Sequence, residues 1–147
     1  MSASSPRSEG SQELLPLEET LLGAMGIEIV EASSERCVAT MPVAPNRQPY
    51  GLLHGGANAA LAETVGSIAA AHHASRHRRI AVGVELSCSH HRAVKSGSVR
   101  AVATPLHAGS SLATYAIQIE DDLQHLVCTA RLSCMLVQPR TEKDQKG

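Results

Sequence analysis

Phenylalanine and tryptophan are absent from this chain, and Tyr50 and Tyr115 are its only tyrosines. Its core must come from Ala, Val, Leu, Ile and Met, and small side chains bury less apolar area each. Association with a second copy is the expected way to bury more. No apolar run approaches the ~20 residues of a transmembrane helix. The first dozen residues are polar, with Pro, Ser and Gly, and lack the apolar segment of a signal peptide. A net charge of −1 gives no reason to expect nucleic acid or an anionic membrane. Cys37, Cys88, Cys128 and Cys134 form no Cys-x-x-Cys pair, and their flanks read as strands. They read as small buried hydrophobes of a reducing, cytoplasmic compartment, not as a catalytic thiol. His73 and His77 stand at i, i+4 with His72 beside them, yet no carboxylate or Cys completes a ligand set. A solvated helix end is expected there, without metal. There is no Gly-rich phosphate loop and no Gly-x-Ser-x-Gly elbow.

The length of 147 residues suggests one domain. Residues 1–12 are expected to be disordered, 13–138 to form the domain, and 139–147 to be a charged tail. Leu14, Leu17, Leu21, Leu22 and Met25 have helical spacing, ended by Gly26. Strands are expected from Ile27 to Ala32 and from Arg36 to Val43, joined as a hairpin through Ser33-Ser34-Glu35. Pro42, Pro45 and Pro49 mark an irregular loop. Four more strands are expected over residues 80–91, 97–105, 112–120 and 125–137, with Asp121-Asp122 turning between the last two. One long helix among antiparallel strands makes an α+β domain.

The informative stretch is 51–68, where a His-Gly-Gly turn runs into an alanine-rich segment carrying one acid, Glu63. Residues Ala57 to Ala71 are mostly small and good helix formers. The helix is expected to fade near His77, and Asn58 is a plausible N-cap. Leu61, Val65 and Ile68 fall on one face, and Glu63, Ser67 and Ala70 are also neighbours. A helix apolar on nearly every side is usually buried. A buried carboxylate needs a partner or a purpose. The Gly55-Gly56 turn frees backbone N–H groups where the helix dipole favours negative charge, which suits a carbonyl oxygen becoming an oxyanion. Alternatively the glycines are only a tight connection and Glu63 is an exposed helix residue.

From Gln48 to Ser67 the sequence resembles the hotdog-fold acyl-CoA thioesterases, above all the phenylacetate-degradation and 4-hydroxybenzoyl-CoA classes. Enterobactin proofreading and dihydroxynaphthoyl-CoA thioesterases share the pattern: Gln six residues before His54, Glu nine after it, Ser four further on. The likeness continues through Val82-Gly-Val-Glu-Leu86, Ser89-His-His-Arg92, Pro105-Leu-His-Ala-Gly109 and Leu126-Val-Cys-Thr-Ala-Arg131, covering roughly residues 20–137.

The resemblance implies an antiparallel sheet curved around the central helix, which would explain the helix's small residues. It implies hydrolysis of a thioester to free CoA and a carboxylic acid, with no cofactor beyond the CoA of the substrate. Glu63 would attack the thioester or activate water. Gly55 N–H would hold the thioester oxygen, His54 would orient that turn, and Gln48 would meet the carboxylate, carbonyl or water. Ser67 would help place the water or carboxylate, unless it only bonds its own helix backbone. His90 matches an acyl-pocket His of aryl-specific relatives; adjacent strand residues face opposite ways, so His91 is not expected beside it. Arg92, Ser110, Ser111 and Arg140 match positions that contact the nucleotide part of CoA, although Ser110-Ser111 replaces the Arg and Thr or Asn common in aryl relatives. The expected assembly is a dimer, doubled to a tetramer, with Glu63 of one subunit facing Gln48, His54 and Gly55 of its neighbour. An aryl thioester is favoured; short or medium acyl-CoA and carrier-protein thioesters are the enzymatic alternatives. A non-catalytic acyl-CoA-binding protein of the same fold would have no use for the helix carboxylate.

Overall fold

The computed structural model describes residues 14–141. The expectations for residues 1–12, and for all but the start of the 139–147 tail, lie outside that range. Two short turns open the described chain: a 3₁₀ turn, Leu17–Glu19, and helix α1, Leu21–Met25. Then come β1 (Glu28–Ala32), β2 (Cys37–Pro42), the long helix α2 (Gly55–Ser75), β3 (Ile80–His90), β4 (Ser98–Ala108), β5 (Leu112–Asp121) and β6 (Leu126–Val137). A 3₁₀ turn at Ala44–Asn46 lies between β2 and α2. The six strands form one antiparallel sheet in the order β1-β2-β4-β5-β6-β3. This is the hotdog arrangement, with α2 packed along the sheet's inner face.

The expected helix from Leu14 to Met25 is broken. Thr20 is extended (φ −116°, ψ 167°), and its Oγ1 donates to Leu17 O at 2.6 Å. That local bond competes with continuing the helix. Leu22 and Met25 still pack on the core, and Gly26, at φ 71°, closes the helix.

Small residues let the sheet wrap closely. Ala62, Ala69, Ala70 and Ala74 are fully buried on α2. A Cβ on Gly66 would come within 2.7 Å of Leu132 on β6. Tyr115 fills the core as its one fully buried aromatic ring; its hydroxyl donates to Ser34 O at 2.7 Å and Ala69 O at 3.3 Å. Without those acceptors the buried phenol would be unpaired, at a cost of about 1–3 kcal/mol. His73, expected to be solvated, is buried, with Nε2 2.7 Å from Gly109 O at the β4–β5 turn. Among the described residues no group of three His, Cys, Asp or Glu could hold a metal ion, and no helix is long and apolar enough to cross a membrane.

Candidate active site

Helix α2 begins at Gly55, three residues before the expected N-cap Asn58, which lies inside the helix. The cap is His54, whose Nδ1 accepts from Gly56 N–H at 2.7 Å. His54 O takes Ala57 N–H at 2.9 Å and Asn58 N–H at 3.3 Å. Of the first-turn donors, Gly55 N–H alone has no hydrogen-bond partner among the described residues. His54 thus caps the turn from its side chain and its carbonyl, and one donor is left open.

The entering loop is held by a residue the sequence reading passed over. Asn46 Nδ2 donates to Met25 O and Pro42 O, both at 2.8 Å, and its own carbonyl takes His54 N–H at 2.8 Å. In sequence it was one more polar residue in a proline-rich loop. Gln48 Oε1 accepts from Tyr50 N–H.

Gly55 opens on a cavity of about 360 Å³, lined also by Gln48, Leu53, Asn58, His90 and Arg92. The His90 imidazole lies over Gly55: a Cβ there would sit 3.1 Å from its Nε2. His91 also borders the cavity. Strand alternation does not separate the two, because β3 stops at His90. His91 N–H turns to Val127 O at 2.8 Å, and its ring pairs with Thr129 Oγ1 at 2.8 Å. Arg92 Nε stands 3.8 Å from Asp121 Oδ2. Burial alone would raise the Asp121 carboxyl, but hydrogen bonds from His125 and Leu123 hold it below its ordinary range.

Glu63 is not in this cavity. Eight residues of helix separate it from Gly55, about 12 Å of rise. Its carboxylate lies against β3, where a Cβ on Gly83 would come within 2.5 Å of Oε1. Two thiols share that neighbourhood. Burial first, then the Glu63 charge, raises the Cys134 pKa to about 11. Cys88 is raised chiefly by burial, with Glu63 adding to it. Ser67 is half-buried one turn beyond Glu63, and its hydroxyl makes no hydrogen bond among the described residues; Thr64 is the residue that bonds back, to Ala60 O at 2.7 Å.

Ser110, Ser111 and Arg140 lie at the other end. The Gly109 carbonyl beside them meets His73, 18 residues along the helix from Gly55, or about 27 Å. Ser111 O takes Leu136 N–H at 2.9 Å, which puts the end of β6 and the following Arg140 on that side too. One chain therefore gathers Gln48, Gly55, His90 and Arg92, holds Glu63 apart, and sets the serines and Arg140 at the far end.

Comparison with known proteins decides the family. Residues 50–128 match the model of the thioesterase superfamily. The chain belongs to the thioesterase superfamily. The proofreading thioesterase EntH of Cronobacter turicensis is 48% identical over 115 residues, 78% of this chain and 83% of that one. ComA2 of Bacillus subtilis is 43% identical over 124 residues, 84% of this chain and 98% of the relative. Thioesterase HI1161 of Haemophilus influenzae superposes with a TM-score of 0.79 at 34% identity, covering 86% of this chain and 88% of that one. This thioesterase therefore has the hotdog fold and hydrolyses thioesters.

Proposed function

We propose that this thioesterase hydrolyses an aryl thioester of CoA, with Gly55 N–H polarising the carbonyl and Glu63 acting as nucleophile or general base. The carrying observation is the unpaired Gly55 N–H at the α2 terminus, facing a cavity bordered by Gln48 and His90. An amide left open in that place can meet the oxygen as charge builds on it, and one such donor contributes roughly 2.7–4 kcal/mol to transition-state stabilisation. Beside Glu63, Ala59 and Ala60 are small and only half-buried, which suits a flat ring, whereas Gly66 and Ala70 are closed against the sheet. His90 offers a polar group to a ring hydroxyl.

A second copy completes the site. β3 is an edge strand of eleven residues, with Ile80, Val82 and Val84 about half exposed. A long apolar edge is a template for pairing with another chain. Within one chain seven strand residues separate Gly83, beside Glu63, from His90, beside Gly55, or about 23 Å. Antiparallel self-pairing centred on Glu85 sets Ser87 of the second copy opposite Gly83. The second copy's His90 is then three residues away, about 10 Å along the strand.

The EntH relatives carry the name proofreading thioesterase, which favours a carrier-protein thioester as the second reading. Thiol release from benzoyl-CoA, 4-hydroxybenzoyl-CoA, palmitoyl-CoA and the corresponding carrier-protein esters tests substrate and mechanism together. Glu63→Gln is expected to fold normally and to lose kcat by at least two orders of magnitude, with KM much less affected. Wild-type kcat in folded Glu63→Gln ends the mechanism; palmitoyl-CoA outrunning every aryl ester ends the aryl assignment alone.

A further inference from the structure

Asn58 is 4% exposed, stands one turn past Gly55 on α2, and borders the same cavity. Its Oδ1 is buried without a hydrogen-bond partner, and its side chain makes no hydrogen bond among the described residues. Rotation about the Cβ–Cγ bond exchanges oxygen and nitrogen, so either atom can face the cavity while the other stays unpaired. Buried polar groups are nearly always paired, and an exception inside a cavity calls for a ligand. A helix of alanines would accept Ala here at no cost in propensity.

We propose that the Asn58 carboxamide is a substrate-binding group that pairs with the amide nearest the sulfur in the substrate's thiol arm. The inference rests on the thioesterase reading of this cavity. A carboxamide offers one acceptor and two donors, and a secondary amide offers the complement, N–H and C=O. CoA and carrier-protein thioesters both carry that amide, so the pairing is present in every turnover, whatever the acyl group. The spacing also agrees. The amide nitrogen is four bonds from the thioester carbonyl carbon, a span comparable with the three-residue offset from Gly55 to Asn58, about 4.5 Å of rise. With the carbonyl oxygen on Gly55 N–H, the arm runs past Asn58.

Steady-state kinetics of the full chain with three benzoyl thioesters test this: the CoA ester, the N-acetylcysteamine ester, which keeps the amide, and the ethanethiol ester, which lacks it. Asn58→Ala and Asn58→Ser are expected to raise KM roughly five- to tenfold for the first two and to leave the third unchanged, as for loss of one or two neutral hydrogen bonds. Tm should stay at or above the wild-type value, since no internal bond is lost. Equal losses on esters with and without the amide overturn the inference and give Asn58 a role in placing water. A loss confined to hydroxylated acyl groups also overturns it, assigning Asn58 to the acyl side. A fall in Tm with dissociation of the assembly overturns it too, by giving the amide a partner in a second copy. Wild-type protein that releases thiol from none of the three benzoyl esters defeats the aryl reading on which the inference rests, an outcome distinct from each of the losses above.

Discussion

Gly83 is where a single methyl group should separate catalysis from folding. A Cβ at this position would lie 2.5 Å from Glu63 Oε1, while ordinary contact begins at 3.4 Å, a deficit of about 0.9 Å. The next atoms are farther: Glu63 Cδ at 3.5 Å and Leu132 Cδ1 at 3.7 Å. Only the far end of a rotatable side chain must yield, so the fold can absorb the change. Alanine is also better tolerated than glycine inside a strand, by roughly 0.5–1 kcal/mol. Gly83→Ala is therefore expected to keep the wild-type Tm within a few degrees. The carboxylate cannot keep its place, and a reacting group displaced by about 1 Å can lose about 10²-fold in rate. Gly83→Ala should lower kcat by about 10²-fold and change KM little, because the Gly55 cavity is untouched. Thiol release under saturating aryl-CoA measures kcat, and a thermal melt measures the fold. A kcat within threefold of wild type would refute the claim that Glu63 works from its position under β3. A collapse of Tm would show that the glycine is needed for the strand itself, whose register shifts between Gly83 and Glu85.

Mixing inactive Glu63→Ala with inactive His54→Ala should restore activity, since a hybrid dimer holds one intact site; no recovery despite proven subunit exchange would place both groups of a site in one chain. Burial raises the thiol pKa to about 11 at Cys37, about 12 at Cys128 and about 11 at Cys134, so these should resist alkylation at pH 8 and react once the chain is unfolded. The folded thiols hold protons that the unfolded chain releases from about pH 9, so their contribution to stability is whole below that pH and is lost as pH climbs toward 11–12. Denaturant midpoints at pH 8 and 10 should show the decline, and a midpoint rising with pH over that interval would contradict it.

The fold was legible because its strongest signals are local. Alternation in 80–91 and 125–137 marked β3 and β6 to within two residues, and Asp121-Asp122 marked the turn between β5 and β6. Local reading failed where local groups compete: Thr20 breaks a run with good helical spacing, and His54 caps α2 although Asn58 is the commoner cap residue by type. Site residues divide in the same way. Gln48, His54, Gly55 and Glu63 stand out because the chain repeats a family spacing. Asn46, Asn58 and Gly83 carry no such mark. Their roles depend on what α2 and β3 bring near them, and no spacing along the chain encodes that proximity.

The missing aromatic rings bear on the site as well as on the core. The sheet closes directly on Ala62, Ala69 and Ala70 of α2. The N-terminus of α2 opens on a cavity, and β3 leaves one edge of the sheet uncovered among the described residues. The unpaired Gly55 N–H occupies the first of these places and the Glu63 carboxylate lies under the second. About 12 Å of helix separates them, which no thioester carbonyl spans. On the proposed mechanism, a second copy carries one group to the other. Leu61 and Ala62, both fully buried between the two positions, hold this stretch of α2 against the sheet. The packing that makes the core from small residues thus sets Gly55 and Glu63 apart on one chain, and the proposed pairing of β3 with a second copy is what the mixed-variant experiment tests.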